Sequence, residues 1–272
     1  MHPDDLPRLA RALRERLEVN RLFGWSVPLR AKELLPPAAV PGPLGPPRPP
    51  RIARASLPPS LPGSPAPGPS FRATASDGDL EAERERRAAL LAPIRAEVAQ
   101  CTGCTLCHSR KKTVFGTGDP VARLLFVGEA PGFDEDRQGE PFVGKAGQLL
   151  NDIIKAMGLR REQVYIANIV KCRPPGNRVP DAAEIGSCSD YLGRQIEILS
   201  PEVVVALGTV AAKALLGSEV GITRLRGRFH SYRGIALMPT YHPAYLLRNP
   251  AEKRKVWEDV QLVMERLQLK RP

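Results

Sequence analysis

The chain has 272 residues, 42% of them hydrophobic, with a formal net charge of +11 and a pI near 9.8. That supplies a sizeable core for one or two domains. No apolar run approaches the length of a membrane span, and acidic residues occupy the N-terminal stretch where a secretory signal needs an apolar core, so a soluble, cytosolic protein is expected and a membrane partner is not. The positive balance favours a polyanionic partner. Residues 1–79 carry 11 Lys/Arg against 7 Asp/Glu, which leaves +7 of the +11 on the remainder.

In chain order, "LPRLARALRERLEVNRLFGW" spaces its leucines as a short amphipathic helix within residues 1–35. Fourteen prolines then fall between Pro36 and Pro69, and residues 36–80 read as a disordered or partly polyproline linker. A tether of this kind is suited to carrying a helix that binds a protein partner, although no residue in it identifies one. The folded unit is expected over residues 85–270 and, with nothing in the sequence to specify an assembly, as a monomer.

Within it, "RLLFVG" (123–128), "VYIANIV" (164–170), "EVVVALG" (202–208) and "GIALMPT" (234–240) are short, rich in Val, Ile and Leu, and end near Gly, Pro or Asn. They read as strands of a sheet covered on both faces. "GKAGQLLNDIIKAMG", "PDAAEIGSCSDYLGRQIEIL", "GTVAAKALLG" and "AEKRKVWEDVQLVMERLQ" have helical spacing. The alternation predicts an α/β fold, a three-layer α/β/α sandwich around a central, mainly parallel four-stranded sheet. In such sheets ligands sit outside the carboxyl ends of the strands.

"CTGCTLC" places Cys101, Cys104 and Cys107 at two-residue intervals after a helical segment ending near Gln100, and Cys172 and Cys188 supply two more thiols. Cytosolic disulfides are rare, and three thiols in seven residues make a poor core, so a metal site is the better reading. Zinc with four cysteines and an iron–sulfur cluster both remain open on spacing, although zinc sites usually draw on two compact pairs. Spacing also leaves open which four of the five cysteines bind.

"VGEAPGFDEDRQGEPFVGKAG" leaves a strand end with Glu129, Asp134, Glu135 and Asp136 beside Phe142. It contains neither the dinucleotide G-x-G-x-x-G nor a P-loop G-K-[ST], which disfavours nicotinamide and nucleoside triphosphates. Phe142 either stacks on a planar ligand or packs on the helix starting near Gly144. Asn168, near the end of the second strand, presents a donor and an acceptor side by side and so matches the N3–H and O4 edge of uracil or thymine; equally, Asn is common at strand-end turns. His242, in "PTYHPAYLLRNP", follows the last strand. Leu246 and Leu247 there either wedge into a base stack or form a helical turn facing the core.

From about Ala92 to Leu267 the chain resembles the family 4 uracil-DNA glycosylases, the iron–sulfur branch of that superfamily. The resemblance rests on "CTGC", "VFGTGDP", "VGEAPGFDEDRQGEPFVGKAGQLL", "IANIVKCRPPGNRVP", "EIGSC", "ITRLRGR" and "HPAYLLRNP", in that order. It implies a 4Fe–4S cluster on Cys101, Cys104, Cys172 and Cys188, with Cys107 spare. It also implies a uracil pocket in which Phe142 stacks, Asn168 reads the base edge, His242 faces O2, the backbone near Ala130 forms a wall, and Glu135 is a further pocket residue. Where family 1 enzymes carry a water-positioning aspartate this chain has Ala130, so Glu129 is the candidate for that role. "GEAPG" differs from the "GEQPG" of the branch that traps uracil covalently, and that branch's histidine-bearing basic insertion is missing, which favours hydrolysis.

The implied activity is hydrolysis of the uracil N1–C1′ bond in single- and double-stranded DNA, as in base excision repair, by a cytosolic enzyme that joins the nucleoid when it acts. Arg224, Arg226, Arg228 and Arg248 are the candidate phosphate contacts, and Leu246 or Leu247 the residue filling the space left by the flipped base. The rivals are a glycosylase for another damaged base, such as hypoxanthine, and a noncatalytic nucleic-acid-binding iron–sulfur protein.

Overall fold

A computed structural model describes residues 77–270. The amphipathic segment of residues 1–35 and nearly all of the proline-rich stretch lie outside the described residues. Helix α1 (Asp77–Gln100) begins inside the span read as linker and ahead of the boundary at 85. Its Leu91, Ile94 and Val98 recur at helical spacing and are buried, in a cluster shared with Leu192, Ile196 and Leu199 of α4 (Ala182–Leu199).

The sheet has six strands in the order β1-β3-β2-β4-β6-β5. β2 (Leu124–Gly128), β3 (Tyr165–Asn168), β4 (Val203–Leu207) and β6 (Ile235–Thr240) are mutually parallel. They are the four expected strands. The expectation of four is corrected by two antiparallel edges, β1 (Thr117–Gly118) on β3 and β5 (His230–Tyr232) on β6. Both edges are too short to show a period, and neither is an apolar run. β5 is fixed by its turn, because Arg233 and Gly234 both have positive φ (49° and 82°), as a two-residue type I′ hairpin requires.

β2, β3 and β4 are buried along their full length. Leu125, Val127, Tyr165, Ala167, Val204, Ala206 and Leu237 form one core with α1, α4, α5 (Thr209–Leu216) and α6 (Ile222–Leu225). By strand alternation Leu124, Phe126, Ile166, Val203, Val205 and Met238 face the other side. The remaining helices are α2 (Phe133–Gln138), α3 (Lys145–Ala156), α7 (Pro243–Arg248) and α8 (Lys253–Arg266). α3 packs on α7, and α8 on β6. Among the described residues no helix is long and apolar enough to cross a membrane.

Strand order places the site. β2 lies between β3 and β4, so the chain leaves it for one neighbour and later returns to the other side. The carboxyl end of β2 is therefore a topological switch point, where parallel sheets open a crevice.

Candidate active site and cysteine cavity

Register brings the candidate residues to that crevice. Gly128, the last residue of β2, pairs with Asn168, the last of β3. A Cβ at Gly128 would lie 2.4 Å from Asn168 Oδ1 and 2.6 Å from Phe142 Cζ. Only a residue without a side chain lets the amide and the ring meet over this strand end. Phe142 has φ of 55°, a left-handed conformation costing about 1–3 kcal/mol for a non-glycine residue and typical of functional sites. Its ring is 5.6 Å from that of His242, centroid to centroid, at 32°. His242 in turn lies against Gly208, the residue following β4, where a Cβ would be 3.0 Å from the histidine's own Cβ.

The loop carrying Phe142 is held by Glu135. This carboxylate accepts the backbone N–H groups of Gly132 (3.1 Å), Val143 (2.9 Å) and Gly144 (3.0 Å). Glu135 thus pins both ends of the 132–144 segment.

Asn168 is only 1% exposed, and its Oδ1 has no hydrogen-bond partner. A buried acceptor left open costs about 1–3 kcal/mol, a penalty that a ligand N–H at this point would relieve. His242 caps α7, with Nδ1 accepting the N–H of Ala244 at 3.1 Å. Since Nδ1 must be unprotonated to accept, the neutral ring carries its proton on Nε2. Burial, aided by the Arg248 charge, pushes the imidazole down to about 4, so at neutral pH the ring is an uncharged Nε2–H donor. Glu129 and Ala130 follow Gly128 and are half-buried. The Glu129 side chain forms no hydrogen bond among the described residues, and burial raises its carboxyl above the usual range.

The DNA-contact candidates divide. Leu246 is fully buried, which corrects its reading as a wedge: it is the core-facing side of α7. Leu247, 46% exposed, is available. Arg226 is also corrected. It binds Asp259 through Nε (3.0 Å) and Nη2 (2.8 Å) and with it joins the end of α6 to α8. Arg224, Arg228 and Arg248 are exposed.

All five cysteines line one cavity, together with Val98, Gly103, Arg110, Lys171, Ser187 and Tyr191. No carboxylate or imidazole is among the lining residues. Arg110 reaches Cys172 Sγ at 3.3 Å and the Cys101 carbonyl at 2.7 Å. Ser187 Oγ donates to the Gly103 carbonyl at 3.1 Å. Glu184 closes the N-terminal capping box of α4 with Asp181 (2.8 and 2.9 Å) and pairs with Arg178 at 2.6 Å. It also accepts from Thr105 Oγ1 at 3.3 Å, so the start of α4 and the Cys101–Cys107 loop are tied together. Among the described residues no three Cys, His, Asp or Glu groups are arranged to hold a single metal ion. Thiols and the basic side chains of Arg110 and Lys171 thus line one shared cavity, a donor set that fits a thiolate-bound inorganic group.

One polar residue beside the site, Lys171, escaped the motif reading. Lys171 is 1% exposed; its Nζ donates to the Asn168 carbonyl (2.9 Å) and to Gln195 Oε1 (2.6 Å). The available signal was its place in "YIANIVKC", a lysine at the end of an apolar strand run.

The profile of the Uracil DNA glycosylase superfamily matches residues 115–261. The type-4 uracil-DNA glycosylase of Thermotoga maritima is 45% identical over 179 residues, covering 64% of this chain and 93% of that protein. That of Sulfurisphaera tokodaii is 45% identical over 185 residues, 64% of this chain and 84% of its own length. That of Archaeoglobus fulgidus is 40% identical over 184 residues, with 65% and 92% covered. The type-5 uracil-DNA glycosylase of Thermus thermophilus is 36% identical over 152 residues, with 50% and 67% covered. With Phe142, Asn168 and His242 gathered at the switch point of the sheet and its cysteines around one cavity, the chain belongs to the uracil-DNA glycosylase superfamily, in its type-4 branch.

Proposed function

We propose that the protein is a uracil-DNA glycosylase that hydrolyses the N1–C1′ bond of deoxyuridine in single- and double-stranded DNA, leaving an abasic site for base excision repair. The observation that carries this is the unpartnered, buried Oδ1 of Asn168, set against the Phe142 ring above a glycine. Uracil offers what the amide lacks. Its N3–H donates to Oδ1 while its O4 accepts from Nδ2, and its flat ring stacks on Phe142. The names of the type-4 relatives agree with this reading.

The target base is unreachable inside a duplex and is flipped into the pocket, at a cost of a few kcal/mol that a mismatch reduces. Leu247 fills the space left behind, and the exposed Arg224, Arg228 and Arg248 hold flanking phosphates without reading sequence. Bond breaking leaves negative charge on uracil, chiefly at O2, and positive charge on the sugar. The Nε2–H of neutral His242 stabilises the departing anion, an arrangement worth about 10²–10³ in rate when donors are held in place. Glu129, half-buried and unpaired, orients and deprotonates the water that attacks C1′, and the backbone at Ala130 forms the adjoining wall. Glu135 contributes by holding the Phe142 loop.

Cys101, Cys104, Cys172 and Cys188 would hold a 4Fe–4S cluster, with Cys107 the spare thiol. The gathering of the thiols around one cavity supports this reading. A bound cluster supplies a cross-link between the 101–107 loop, the end of β3 and α4, while the proton handling falls to side chains.

The test is an excision assay on oligonucleotides bearing one uracil, thymine or hypoxanthine, single- and double-stranded, with abasic product measured. Product from uracil only is expected. Asn168→Asp replaces the donor with a second acceptor and should abolish excision while iron content is retained. Full activity in that variant would overturn the assigned role.

A further inference from the structure

Phe133 opens α2 directly after the pocket loop Glu129–Gly132, and its side chain is 47% exposed. It is the only aromatic among the large exposed hydrophobic residues described. A solitary exposed apolar residue needs no explanation, but two guanidinium groups stand over this ring. Arg137 lies 5.5 Å and Arg173 5.1 Å from its centroid. They come from different elements, Arg137 from the last turn of α2 and Arg173 from the segment after β3. β2 and β3 are parallel neighbours, so Phe133 and Arg173 leave the same edge of the sheet that carries Gly128 and Asn168.

The surroundings add two further cations, although Glu140 is also exposed at the end of this segment. Lys111 and Lys112 are exposed and adjoin α2, where the Lys111 N–H donates to Asp136 Oδ1 at 2.8 Å and Lys112 Nζ to the Gln138 carbonyl at 3.5 Å. Asp136 is buried, and the exposed Asp134 turns towards Gly144, where a Cβ would stand 2.9 Å from its Oδ2. An aromatic face rimmed by cations, beside a pocket that takes a base, has the chemistry of a stacking platform for unpaired nucleotides. A guanidinium flat on an aromatic ring can also stack on a base and pair with the adjoining phosphate.

We propose that Phe133, Arg137 and Arg173 form a second base-binding subsite, which stacks an unpaired base of the DNA strand next to the flipped uracil. This rests on the reading of the neighbouring pocket as a uracil site. The subsite contributes affinity without sequence preference and favours single-stranded substrate, since bases in a duplex are already stacked.

The experiment uses the full chain with its iron content verified and a single-stranded oligonucleotide carrying 2′-fluoro-deoxyuridine, which resists cleavage, with 2-aminopurine placed in turn one, two and three nucleotides to either side. Wild type should change the 2-aminopurine fluorescence at one of these positions. Phe133→Ala should lose that change and bind about tenfold more weakly, whereas Phe133→Trp should retain both. Replacing the responding nucleotide by an abasic spacer should bring wild type and Phe133→Ala to equal affinity. Equal affinity of wild type and Phe133→Ala on the intact strand would overturn the proposal, as would a deficit that persists on the spacer strand. Failure of wild type to excise uracil defeats the pocket reading instead, so the two failures are distinguishable.

Discussion

Lys171 Nζ lies 2.9 Å from the main-chain carbonyl oxygen of Asn168, so the residue that reaches the cysteine cavity also holds the strand end that carries the Asn168 amide. Its second bond, to Gln195 Oε1, continues through Gln195 Nε2 to the Phe115 carbonyl at 3.0 Å. Burial pushes the Lys171 amine down to about 7, and the two acceptors keep a polar donor satisfied at this depth.

Lys171→Met keeps most of the volume and leaves two buried acceptors without their donor. Stability should fall by about 1–3 kcal/mol for each acceptor left unsatisfied, read from urea denaturation. Because the Asn168 backbone loses its brace, excision at saturating substrate should fall by about ten- to a hundredfold. Iron content measured on the same preparation separates this effect from loss of the cluster.

Gly128→Ala tests the pocket from its floor. The added methyl carbon would stand 2.4 Å from Asn168 Oδ1 and 2.6 Å from the Phe142 ring, so the amide and ring must part. Excision should drop at least a hundredfold, the order expected from displacing positioned groups by about an ångström. Thermal unfolding should shift by about 2–12 °C, from an overpacking cost of about 1–3 kcal/mol. Unchanged kinetics would show that the amide and ring do not share one site.

His242 makes a pH-dependent prediction. Its imidazole is pushed from 6.5 down to about 4 in the folded protein. Between those values the unfolded chain binds a proton that the folded one does not, so stability rises with pH from about 4 to about 6.5 and gains nothing from this group above that. Protonation would also end the acceptance of the Ala244 N–H by Nδ1. His242→Asn keeps a side-chain oxygen as helix cap and removes the titration. Midpoints of denaturation between pH 4 and 7 should therefore flatten relative to wild type, while excision at pH 7 falls about 10²–10³-fold with the lost donor.

The parallel core of the fold was legible because β2, β3 and β4 are buried on both faces and so read as unbroken apolar runs. The edge strands were not, since two or three residues carry no period and pairing alone makes them strands. At the site, residue types pointed to Phe142, Asn168 and His242, but the contact of Gly128 with the first two depends on register. Leu246 and Leu247 show the limit sharply: adjacent leucines on a short helix point in different directions, and only packing shows that the first faces the core. Arg226 likewise reads as one more surface arginine until Asp259, 33 residues on, is seen to fold back beneath it.

The arginines give the last test, because the structure assigns them unlike roles. Arg226 has a side chain 13% exposed and paired with an Asp259 that is fully buried. Asp259 also accepts from Thr240 Oγ1 at 2.5 Å, so the pair anchors the end of β6. Arg226→Ala removes the counter-charge and leaves a buried carboxylate, which should destabilise the protein by about 3–5 kcal/mol. Arg224→Ala and Arg228→Ala touch exposed side chains and should leave stability within about 0.5 kcal/mol. Under the proposed function their effect falls on DNA binding: each lost phosphate contact should weaken binding about equally across sequences and reduce the slope of log affinity against log salt by about one. Denaturation and salt-titrated binding on the three variants should therefore sort Arg226 from the other two. Stable Arg226→Ala protein with a reduced salt slope would return that residue to the DNA-facing set.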